Sequence, residues 1–275
     1  MRNKLLLTIK SPKTRIAVTL LSLFSSATVY ANDSCDVDLK TGITIDKTKI
    51  EFFESKNKDN VLYTINHPNL LTVRGKSISL NSEQKGLVTK YSTDIRAIVP
   101  KVKKIAIEGV DLALKGVNLS FNELLGEGNS VGADLAQELS VLRDEIAEEF
   151  TIENGFSIGE DGVEDDELFG AKIEQRIESA VEKAVMAAMG NLLVALGQEM
   201  MLSGGDSDSF ETRMKNFGET IEYEMQSGSE KIEQKANSLC ADIIEIDELE
   251  NKLQQSISSL VSINVITVKS IEIKK

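Results

Sequence analysis

The chain has 275 residues, with 31 basic against 44 acidic side chains, one histidine, two cysteines and no tryptophan. That acidic excess repels phosphate backbones and anionic lipid surfaces, which sets aside nucleic acid and a general affinity for membranes as partners. Basic partners, divalent cations or plain solubility remain as reasons for the charge.

The first element is an export signal, which must be removed before any fold reasoning. Arg2, Lys4, Lys10, Lys13 and Arg15 form a positive segment with no acidic residue, and Ile16 to Phe24 form a short apolar core. Ser25, Ser26 and Ala27 follow, and Val29-Tyr30-Ala31 places suitable side chains for cleavage between Ala31 and Asn32. A membrane span needs about 20 apolar residues, and this core is too short and too serine-rich to be an uncleaved anchor. A lipoprotein is not expected either, because Cys35 lies beyond the cleavage point. Cleavage removes five of the 31 basic residues and none of the 44 acidic ones, leaving 26 against 44, a net charge of −18. The expected address is the periplasm, with no transmembrane segment after cleavage. Cys35 and Cys240 then sit in an oxidising compartment, where two thiols in one exported chain predict a disulfide. Two buried free thiols or an intermolecular link are the alternatives. No C-x-x-C pair suggests a redox site.

Residues 43–80 alternate apolar and polar side chains, at Ile43 and Ile45, Ile50 and Phe52, Val61, Tyr63 and Ile65, Leu71 and Val73, Ile78 and Leu80. Alternation gives each strand one apolar face, so an antiparallel β-meander is predicted. Its turns are expected at Asn57 to Asn60, at Asn66 to Asn69 and at Gly75-Lys76.

From Asn81 the period becomes helical. Asn81 or Ser82 caps a helix running toward Val99, which Pro100 is expected to end or restart. Helical spacing continues through Ile105, Leu112 and Val117, and again from Leu135 to Phe150, with Gly126 to Gly132 as a loop between. Phe156 to Ile158 is a short extended piece. A further helix spans about Leu168 to Leu202. Its segment Ala184 to Leu202 is apolar nearly all round, which predicts a buried helix. Its length is marginal for a bilayer, and Asn191, Gln198 and Glu199 interrupt it. The longest periodic stretch runs from Phe210 to Leu260 in steps of three and four, with one wider gap at Gly228, predicting a long helix packed along another. Cys240 lies beside that seam, so the disulfide would tie the β region to this helix. Residues 263–275 alternate and form a strand or a loose tail. The fold class is therefore α+β and mainly α. Residues 1–31 are the signal, 32–80 the meander, 81–262 a helical region continuous with it and 263–275 the tail.

Catalytic machinery is not evident. His67, the sole histidine, stands before Pro68 in a polar turn, and zinc sites need three or four ligands. No nucleophile elbow, P-loop or dinucleotide motif is present. Paired carboxylates are available, but the aromatic residues that usually surround a sugar are few. Two acidic loops, Gly159 to Glu167 and Asp206 to Ser209, start calcium-like patterns without completing them. Met186, Met189, Met200, Met201, Met214 and Met225 lie on or beside apolar faces, where core filling is the first expectation and an adaptable binding surface the second. No enzyme activity, metal or cofactor is expected.

Arg74-Gly75-Lys76-Ser77-Ile78-Ser79-Leu80-Asn81, followed by Gln84, Tyr91, Arg96 and Pro100, resembles the signature of the YggN-like proteins. So do Ala188-Met189-Gly190, Ser203-Gly204-Gly205 and the placing of the two cysteines. The acidic loop around Asp165 and the tail after Leu260 depart from the pattern. The resemblance implies an exported protein of Gram-negative bacteria and carries no catalytic residues across. Function is then expected to lie in contacts with a protein partner, in a chaperone-like manner. The alternative is a carrier for an apolar or lipid-like ligand held against Ala184 to Leu202.

Overall fold

Strand formation follows the alternation. In the computed structural model, which describes residues 35–55, 57–125, 132–159, 162–163, 171–202 and 208–269, all within one unit Cys35–Ser270, the N-terminal strands are β1 (Asp36–Leu39), β2 (Thr41–Ile45), β3 (Lys49–Glu54), β4 (Asn57–Asn66), β5 (Leu70–Val73) and β6 (Lys76–Ser77). Strands β2 to β6 pair in sequence order, antiparallel throughout. A second pair joins the sheet from between the helices. β7 (Phe156–Gly159) lies against β2, with Ile43 opposite Ile158, and β8 (Gly162–Val163) pairs with β7. The expected extended piece at Phe156 is thus an integral strand, tied to β2 by a 2.8 Å hydroxyl contact between Thr44 and Ser157.

Two turns fall elsewhere than the sequence predicts. Val73 pairs with Lys76, so the hairpin residues are Arg74 and Gly75, both at positive φ, rather than Gly75-Lys76. Two consecutive positive φ values match the right-handed strand twist. Asn57 to Asn60 is extended within β4. The chain reverses before it, and register shifts around Phe53 absorb the polar residues. The same irregularity buries both Phe52 and Phe53. Phe53 lies over Gly42, where an added Cβ would stand 2.0 Å from its ring.

The helices are α1 (Ser82–Leu125), α2 (Ala133–Glu149), α3 (Ala171–Leu202) and α4 (Asp208–Ser256). Asn81 caps α1 reciprocally: its side-chain oxygen accepts the Gln84 N–H at 2.9 Å, and the Gln84 side chain accepts the Asn81 N–H at 3.0 Å. Pro100 does not end α1, which runs 44 residues through it. Val99 is buried in the core and Lys101 pairs with Asp242 of α4 at 2.6 Å, so packing on either side holds the helix past the lost hydrogen bond.

Helices α1 and α4 are antiparallel along their length. Gln84 donates to the Ser256 carbonyl, Lys101 meets Asp242, Lys235 meets Glu108 and Lys115 meets Glu224. The gap in the α4 seam at Gly228 is where Leu112 enters; a Cβ there would stand 2.3 Å from its methyl carbon. Beyond α4, β9 (Ile266–Lys269) pairs with β1, placing in a strand part of the segment expected as strand or tail.

The main core lies between one sheet face and the helix pair. Ile50, Phe52, Ile65 and Leu71 meet Val88, Tyr91, Ile95 and Val99 of α1 and Ile246, Leu249, Leu253 and Ile257 of α4. Phe52 stacks on Tyr63 with ring centroids 4.2 Å apart. Cys35 is disulfide-bonded to Cys240, joining the start of β1 to α4 across 205 residues of sequence. The architecture is α+β, with an N-terminal antiparallel meander packed on long helices.

Candidate functional site

Two places hold side chains that the core does not explain. The first is α3. Its first half is anchored by small residues: Ala180 and Ala184 are buried against Leu135 and Leu139 of α2, with Val110, Leu114, Val117 and Phe121 of α1 packed around them. Arg176 fixes the contact from the edge, meeting Glu138 at 2.8 Å and Glu145 at 3.2 Å. These two acceptors raise the Arg176 guanidinium further above its ordinary value.

Past Ala184 the contacts thin out. Met186 is 68% exposed, Met189 58% and Leu193 71%, with Val185 and Val194 also exposed; among the described side chains beyond Ala184 only Ala188 and Leu192 are half-covered. The expectation of a buried helix over Ala184 to Leu202 is therefore corrected for the described side chains from Val185 to Val194, while those of Ala195, Leu196 and Gln198 to Leu202 lie outside the described residues. An all-round apolar composition predicts burial, yet among the described residues only the side carrying Ala180 and Ala184 packs into a core cluster. Met186 and Met189 are likewise on the surface and not in the core. Met214 is exposed, and Met225 packs over Gly116. The side chains of Met200 and Met201 lie outside the described residues.

The hollow that the described residues of α3 line with α2, about 490 Å³, is walled mainly by polar and charged side chains, among them Asp134, Glu138, Gln175, Arg176 and Lys183. A groove of about 310 Å³ between α1 and α4 places Leu112 and Ile232 among Glu108, Lys115, Lys231 and Lys235.

The second place is Glu250. Only 3% exposed, it sits in the α4 seam beside Leu249 and Leu253. Its Oε1 accepts the Val265 N–H at 2.6 Å and the Gln254 amide at 3.0 Å, and its Oε2 accepts the Ile266 N–H at 3.1 Å. Asp247, one turn earlier, accepts the Val268 N–H at 3.2 Å. Helix α4 thereby supplies acceptors to the edge of β9 that faces away from β1, satisfying donors that would otherwise seek another strand. Burial pushes the Glu250 carboxyl up to about 7, against the pull of the two backbone N–H groups and Gln254, while nearby Asp247 adds to the rise. Burial also raises the Tyr63 and Tyr91 hydroxyls well above their ordinary values; these lie 3.4 Å apart and feel the same carboxylate. The arrangement clamps a strand. Sequence reading passed over Glu250, yet a charge standing in a three-four apolar seam is a legible signal.

The remaining expectations divide. Cys35 and Cys240 are brought together as expected. His67 is exposed, in the turn between β4 and β5. The calcium-like stretches Gly159 to Glu167 and Asp206 to Ser209 fall largely outside the described residues, as do Ala31 and Asn32. Among the described residues no group of three or more histidine, cysteine or acidic side chains is placed to hold a metal, and no helix is long and apolar enough to cross a membrane.

No curated protein and no solved structure matches the chain. A family model described as "Protein of unknown function (DUF2884)" matches residues 35–266, from the first disulfide cysteine into β9. The chain belongs to the DUF2884 family.

Proposed function

We propose that this is an exported, periplasmic protein that catalyses no reaction and acts through protein contacts, in a chaperone-like manner, with the outer face of α3 as its contact surface. The observation that carries the reading is the exposure of Met186, Met189 and Leu193 on one helix. A contiguous apolar patch on a folded chain marks an interaction site, and methionine suits one that accepts varied partners. The basic segment and short apolar core ahead of Ala31-Asn32, the Cys35–Cys240 bridge and the resemblance to YggN-like proteins support the address. The test is light scattering from a chemically unfolded protein diluted into buffer alone, with this protein, and with its Met189→Lys/Leu193→Lys variant. Suppression by the native sequence and its loss in the variant are expected. Equal aggregation in all three samples sinks the reading.

A further inference from the structure

We propose that the outer face of α3 is the seam of a symmetric dimer, paired antiparallel with α3 of a second copy of this chain. This rests on the contact-surface reading above and names its occupant. Met186, Gly190, Leu193 and Gly197 step by four, three and four, so they share one side of the helix, away from buried Ala180 and Ala184. Each large residue in this row alternates with a glycine. Nothing stands within 4 Å of where a Cβ would lie on Gly190 or Gly197. Glycine weakens a helix relative to alanine, and among the described residues no neighbour makes use of the space that these two leave.

An antiparallel copy uses it. A two-fold axis between residues 191 and 192 sets Met186 opposite Gly197 and Leu193 opposite Gly190, so every large side chain faces a gap. A parallel pair would set methionine on methionine and glycine on glycine. The row is thus self-complementary under the rotation that closes an isologous dimer.

Charge selects the same partner. Ala184 to Gln198 holds no charged residue although 27% of the chain is charged, so this stretch can meet its copy without like-charge contact. Most other faces of a chain with a net charge of −13 would repel one another.

Sedimentation equilibrium of the disulfide-linked protein tests this with three sequences: native, Gly190→Leu, and Gly190→Leu/Leu193→Gly. Gly190→Leu strengthens the helix, so circular dichroism should show a folded chain, while overpacking the seam weakens dimerisation by about tenfold or more. The double variant exchanges large and small across the axis and should recover most of the lost affinity. A native protein that stays monomeric, a Gly190→Leu variant that dimerises like the native one, or a double variant no better than the single overturns the proposal. Loss of client protection in Met189→Lys/Leu193→Lys of a strictly monomeric protein would leave the contact reading standing while self-pairing falls.

Discussion

The sheet-facing half of the molecule and the outer half of α3 are built from similarly apolar sequence and end in opposite environments. Ile50, Phe52, Leu71, Val88 and Tyr91 are fully covered, whereas Met186, Met189 and Leu193 stand in solvent. The difference lies in what each segment finds to pack against. The sheet presents one apolar face to two long helices that arrive antiparallel and are fixed to each other by ion pairs along their length. Helix α3 meets α1 and α2 through two alanines and an arginine, then carries its apolar side chains beyond them. Apolar composition measures how much surface a segment must bury; the neighbours determine whether the chain itself buries it.

The comparison can be pressed first at the staple. Reducing Cys35–Cys240, or replacing Cys240 with serine, releases a closure of 205 residues. Chain entropy places the loss at up to about 5 kcal/mol. Urea unfolding with and without reductant measures it, and coincident curves would show that the bridge contributes nothing. Next, Phe52→Ala in the closed core should cost about 3–5 kcal/mol, since the ring is wholly covered and stacked on Tyr63. A midpoint shift in the same experiment reports it.

The clamp at β9 gives a pH signature of about 3 kcal/mol. Glu250 is raised from 4.5 to about 7, so between those values the native state holds a proton that the unfolded chain has released. Its contribution is full below pH 4.5 and lost as pH rises through 7, a slope of roughly 1.4 kcal/mol per unit. Asp247 on its own helix, Tyr63 of β4 and Tyr91 of α1 are the titratable groups facing it. Glu250→Gln should flatten this part of the stability–pH curve, and an unchanged slope would contradict the assignment. The smallest effect is expected on α3, where Leu193→Ser should change monomer stability by less than about 0.5 kcal/mol. A loss comparable to that of Phe52→Ala would mean that the chain itself covers this residue.

Much of the first region was legible in the sequence. Alternation at Ile43 to Val73 marked the strands and their buried faces, and the step from period two to helical spacing at Asn81 marked the cap. What escaped was decided by partners distant in the chain. The turn at Arg74-Gly75 is set by the pairing of Val73 with Lys76, the place of the expected Phe156 piece in the sheet by β2, and the continuity of α1 through Pro100 by α4. The candidate surface was misread for the same reason. The composition of Ala184 to Leu202 was correctly seen as apolar, but exposure depends on neighbours that periodicity does not name. Glu250 escaped because a seam was judged by its apolar members and not by the one that broke it.

Methionine oxidation followed by mass spectrometry bears most directly on the central claim that the outer face of α3 is open in the chain and covered by a protein partner. Under dilute hydrogen peroxide, Met186 and Met189 should convert to sulfoxide faster than Met225, which packs over Gly116. Adding an unfolded client, or raising the protein concentration, should slow Met186 and Met189 while leaving Met225 unchanged. Equal rates at all three methionines, or rates on α3 indifferent to both additions, would contradict the account.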